Sequence, residues 1–132
     1  MIGAGACESV EPAMLKQLGR RWDDTLLVLL ANVETSDSAK QLQSIEQWLA
    51  VHPANAVLLR VLGKLALKVE QMEKAEQYLL KSLNIEPSVA AYQLLGEVQF
   101  SRGEKDLACE SFKRGLLLAS DEVVGNIEAV TG

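Results

Sequence analysis

Shifted by 33 residues, the second half of the chain falls on itself: Leu59 meets Tyr92, Leu62 meets Leu95, Gly63 meets Gly96 and Ala66 meets Gln99. The register continues through Ala75 with Ala108, Leu79 with Phe112, Ser82 with Gly115, Leu83 with Leu116 and Pro87 with Ser120. A period of this length marks a stack of supersecondary units, each burying its apolar face against its neighbours. Leu59, Leu62 and Ala66 recur at helical spacing and form one buried stripe, with Gly63 on the same face for close approach of another helix. Glycine inside a helix costs about 1 kcal/mol relative to alanine, so packing is its reason. Ala75, Leu79 and Leu83 repeat every four residues on a second helix, and Pro87 forces Glu86 out of helical geometry. Tyr92, Leu95, Gly96, Ala108, Phe112 and Leu116 repeat the design and are expected in the core.

The remaining chain divides to match. Residues 22–53 read as a divergent unit: a helix from Asp23 to Glu34 with Leu26, Leu27, Leu29 and Leu30 inward, a turn over 35–38, and a paired helix from Ala39 to Val51 closed by His52-Pro53. Trp48 stands where later units have Ser82 and Gly115, so local packing must differ. Residues 56–87 and 89–120 are the two regular units. Residues 121–130 are expected to form a capping helix, with Val123, Val124, Ile127 and Val130 on one side. Glu11 to Arg20 reads as the back helix of a unit whose front half is missing, and residues 1–10 as a flexible lead. The expected architecture is all-α, a single right-handed α–α superhelix of about eight helices cut from a longer array.

Composition narrows the function. With 48% hydrophobic residues the 132-residue chain can bury a core, and its net charge of -5 disfavours nucleic acid as a partner. The longest apolar stretch, Leu26 to Ala31, is far short of the ~20 residues of a membrane-spanning helix, so the chain reads as soluble. Cys7 and Cys109 lack metal or disulfide spacing, and Cys109, beside Ala108, reads as a packing residue. One histidine, no Ser-His-Asp spacing and no glycine-rich phosphate loop point away from catalysis, and no cofactor or metal is expected. His52 could in principle ligate haem iron, but it precedes a proline at a helix end, where a turn residue is the simpler account.

The order of large residue, Leu-Gly, Ala, large residue and closing Pro resembles the tetratricopeptide (TPR) pattern. In a TPR stack the first helix of each unit lines a concave groove. Arg60, Lys64 and Lys68, spaced by four on one helix, are assigned to that groove, with Gln93, Glu97 and Phe100 in the aligned places of Arg60, Lys64 and Leu67. Val28 and Asn32 belong to the same surface on the first unit. A basic stripe on an acidic protein points to a protein or peptide partner of acidic character. A charged face turned to solvent is the plain alternative. Glu97 could pair with Lys64 across units and reduce the positive potential.

Arg21-Trp22-Asp23-Asp24, Trp48-Leu49 with His52-Pro53, Leu58-Leu59 with Leu62-Gly63, Lys74-Ala75 with Tyr78-Leu79, Ser82-Leu83 and Pro87 resemble one TPR family in particular. With Ala91-Tyr92, Ala108 and Arg114-Gly115-Leu116, residues 20–120 are similar to the C-terminal domain of HemY-type proteins of proteobacterial haem-biosynthesis operons. The resemblance implies a parent protein anchored in the inner membrane, this domain on the cytoplasmic side, and a scaffold role near the late enzymes of protohaem synthesis. Two alternatives stand beside it: a tetrapyrrole-binding carrier, and a generic TPR docking module of another bacterial assembly system.

Overall fold

The computed structural model describes residues 13–32 and 37–131. After α1, helical over 13–20, come α2 (Asp24–Ala31), α3 (Ser38–Glu46) with a 3-10 turn (Gln47–Ala50), α4 (Ala56–Lys68), α5 (Met72–Ile85), α6 (Val89–Ser101) and α7 (Lys105–Thr131). No strand occurs among the described residues. Helices α4 and α5 pair, as do α6 and α7, while α4 also touches α2 and α6. The first helices of the units thus lie side by side in one layer, and the chain forms the right-handed α–α superhelix expected of it.

Local chemistry places each start. Asp23, Asp37, Asn55 and Ser88 are N-caps whose side-chain oxygens accept from backbone N–H groups one turn ahead. The ends of α4 and α6 are twins in the 33-residue register. Glu70 N–H donates to the Leu67 carbonyl and Gln71 N–H to that of Ala66. One unit later Gly103 donates to Phe100 and Glu104 to Gln99. Both are left-handed helix stops, with φ of 62° at Glu70 and 80° at Gly103.

The core follows the register in its centre. Leu59, Leu62, Gly63 and Ala66 on α4, and Ala75 and Leu79 on α5, are buried. Leu83 is half-buried, and Ser82 is buried with its hydroxyl donating to the Ala56 carbonyl at 2.7 Å.

Several expectations are corrected. Helix α2 stops at Ala31, where Asn32 N–H caps the Leu29 and Leu30 carbonyls, rather than running to Glu34. Leu29 is 55% exposed, because it lies off the buried stripe of Leu27, Leu30 and Ala31. Residues 35 and 36 of the expected turn, and the lead 1–10, lie outside the described residues. Helix α3 gives way to a 3-10 turn at Gln47 rather than continuing to Val51. There Trp48 is too large for the crossing occupied by Ser82 and Gly115, and its ring turns to Trp22, 5.3 Å away. Phe112 and Leu116 are exposed, since no described element covers that side of α7. That helix is continuous through 121–130, so no separate capping helix forms. Ser120 carries none of the φ restriction that Pro87 imposes one unit earlier.

The first two units are fastened by a polar latch. Tyr78 on α5 donates its hydroxyl to Glu46 Oε2 at the end of α3, and Lys74 Nζ sits 2.6 Å from the same oxygen. Burial, and then the Glu46 carboxylate as acceptor and as charge, raise the Tyr78 pKa above the ordinary phenol value. A pKa raised on folding supplies stability that is complete below the unfolded value, about 10, and is lost as pH climbs beyond it. Tyr78→Phe is therefore expected to cost about 1–2 kcal/mol at neutral pH. It should also flatten the fall in urea midpoint above pH about 10. Parallel pH curves for the two proteins would refute this assignment.

Candidate docking face

Helices α2, α4 and α6 present the residues assigned to the groove. The four-residue spacing of Arg60, Lys64 and Lys68 puts them on one face of α4, with Lys64 and Lys68 exposed and Arg60 half-buried. Lys64 Nζ donates to Asn32 Oδ1 at 2.5 Å, which joins two of the assigned residues across the α2–α4 seam. Val28 is half-buried against the core instead of open on this face. Gln93 and Glu97 are exposed on α6, and Phe100 is 60% exposed. The anticipated Lys64–Glu97 pair does not form. Among the described residues the ion pairs are Lys74–Glu46, Arg102 with Glu76 and Glu104, and Arg114–Glu110. No carboxylate among the described residues forms an ion pair with Arg60, Lys64 or Lys68.

Beside this stripe is a feature that the spacing of charges does not reveal. Leu67, Glu97, Phe100, Ser101 and Phe112 line an open hollow of about 490 Å³ where α4, α6 and α7 meet. Phe112 reaches it by lying across Gly96, where a Cβ would stand 2.5 Å from its ring. The repeat pattern places Phe112 as a core residue, but among the described residues its ring is 41% exposed.

His52 is occupied elsewhere. Its ring stacks on Trp22 at 4.0 Å, near the Trp22–Asp24 and Asn55–Asp24 hydrogen bonds of 3.0 and 3.2 Å. These contacts tie the 3-10 turn to the starts of α2 and α4. Cys109 is exposed rather than packed, because one residue beyond buried Ala108 a helix has turned about 100° away from the core. Cys7 lies outside the described residues. Among the described residues, no group of three or more His, Cys, Asp or Glu side chains is placed to hold a metal ion. No helix there is long and apolar enough to cross a membrane.

The tetratricopeptide repeat model matches residues 61–89 and 89–122. Over these two spans the chain is similar to tetratricopeptide repeats. The first span begins within α4 and ends just past α5, and the second begins with α6 and ends within α7. Among solved structures, MamA (41 to end) from Desulfovibrio magneticus RS-1 is similar with a TM-score of 0.69 and 21% identity, over 89% of this chain and 68% of that one. A double mutant of the RS-1 MamA matches with a TM-score of 0.68 and 20% identity over the same shares. At such identity these structures establish the fold alone. A search of curated proteins returns no match. Neither the repeat model nor the two MamA structures bear on haem synthesis or on membrane anchoring.

Proposed function

We propose that the domain is a non-catalytic docking module whose α2, α4 and α6 face takes an acidic segment of a partner protein. The observation that carries it is the stripe of Arg60, Lys64 and Lys68, without carboxylate partners among the described residues, on a chain of net charge -5. A local positive surface on an acidic protein steers anionic segments to one place and repels them from the rest. The HemY-type resemblance adds a partner class to this reading, the late enzymes of protohaem synthesis, with the parent protein at the inner membrane and this domain on the cytoplasmic side.

Immobilised domain incubated with a detergent extract of proteobacterial membranes tests both levels. Arg60→Glu with Lys64→Glu is expected to abolish most retention, and raising salt from 50 to 300 mM to weaken it, because exposed charges are screened within about 10 Å at 0.1 M. Retention unaffected by charge reversal would sink the acidic-segment reading. Charge-sensitive retention without any late haem enzyme, identified by mass spectrometry, would sink the haem assignment alone.

A further inference from the structure

We propose that the docking segment carries a bulky apolar residue beside its acidic ones, and that this residue seats in the hollow between α4, α6 and α7. The inference rests on the acidic-segment reading above and adds a second contact to it. The chain has two phenylalanines, and both line this one hollow. Phe100 is 60% and Phe112 41% exposed. Aromatic rings left in water beside a concave surface are the usual anchors of an interface, since covering them removes apolar area from solvent.

Charge fixes how the segment lies. Leu67 belongs to the hollow and stands between Lys64 and Lys68 on α4, so the hollow opens directly beside the basic stripe. Glu97 holds the place on α6 that Lys64 holds on α4, and it rims the hollow without an ion pair. It repels acidic residues from α6 and leaves α4 as the place where they are accepted. The anchor therefore lies at α6 and α7 and the acids over α4. Packed helix axes are about 8–10 Å apart and an extended chain advances about 3.3 Å per residue, so acids and anchor are separated by about three positions.

Panning a random twelve-residue display library against the 132-residue domain tests the arrangement. Enriched sequences are expected to hold Leu, Ile, Met or Phe about three residues from two or more Asp or Glu. For one such synthetic peptide, fluorescence anisotropy should show Phe100→Ser weakening binding about tenfold, with Phe100→Leu restoring most of it. Equal thermal melts for the two variants would show that the domain stays folded. Acid-rich sequences with no apolar preference would overturn the anchor and leave the docking reading standing. Apolar sequences without acids would overturn the docking reading, and absence of any enrichment would overturn both. A dimer seen by sedimentation and lost in Phe100→Ser would assign the hollow to a second copy and overturn the proposal.

Discussion

Leucine in place of Ala75 is expected to lower stability by about 2–3 kcal/mol, near the upper end of what overpacking a close crossing costs. Ala75 is fully buried on α5, and its carbonyl oxygen would lie 3.4 Å from a Cβ at Gly63, so the two backbones approach closely at this point. Three added carbons have nowhere to go without moving α5 off α4. A repeat unit contacts only its neighbours, so a displaced α5 also loosens its seams with α6 and, through Tyr78 and Glu46, with α3. Gln77→Leu is the matched control. Gln77 is exposed on the same helix, and its replacement should shift the midpoint by no more than about 0.5 kcal/mol. Urea unfolding of both variants decides the matter, and equal losses would show that the register of α5 is wrong.

The register of that helix was legible in the sequence because it depends on periodicity alone. Gly63, Ala75, Leu79 and the break at Pro87 each answer to a rule that acts within one unit, and the fold obeys all of them. Other features depend on what lies beside a residue. The pattern assigns Phe112 and Leu116 to the same places as Leu79 and Leu83, yet α6 lies against α5 and no described element covers α7 in the same way. The Tyr78–Glu46–Lys74 latch includes a pair 32 positions apart, Tyr78 and Glu46, on helices whose relative rotation no spacing specifies. The run of α7 through residue 120 did have a signal, the serine standing where the preceding unit has Pro87, and a rule that predicts an end only where a breaker occurs would have found it.

The docking face divides along the same line. Arg60, Lys64 and Lys68 are set on one face of α4 by their four-residue spacing, and Asn32 does stand near Lys64. What spacing could not show is that Glu97 forms no ion pair with Lys64, or that Val28 packs against the core. The hollow beside the stripe comes from three helices meeting at Leu67, Phe100 and Phe112, a juxtaposition that requires the stack itself.

Gly63→Ala and Gly96→Ala occupy the same place in consecutive units and are expected to differ by about 2 kcal/mol, for a reason that lies in their neighbours. Both substitutions gain about 1 kcal/mol of helix propensity. At Gly63 the new methyl would stand 2.6 Å from Leu79 Cγ and 2.7 Å from its Cδ2. Leu79 is fully buried, and its branch carbon cannot move without shifting α5, so the clash exceeds the propensity gain and the variant is destabilised. At Gly96 the methyl would meet the Phe112 ring at 2.5 to 2.7 Å, closer still. That ring is 41% exposed, however, and can swing outward by rotating about its own side-chain bonds. The propensity gain then offsets most of the cost, leaving Gly96→Ala near the stability of the parent. Thermal and urea unfolding of the two variants measure the difference. Equal destabilisation would mean that the Phe112 ring is held as firmly as Leu79, and that the hollow it lines is a rigid part of the core rather than a surface open to a partner.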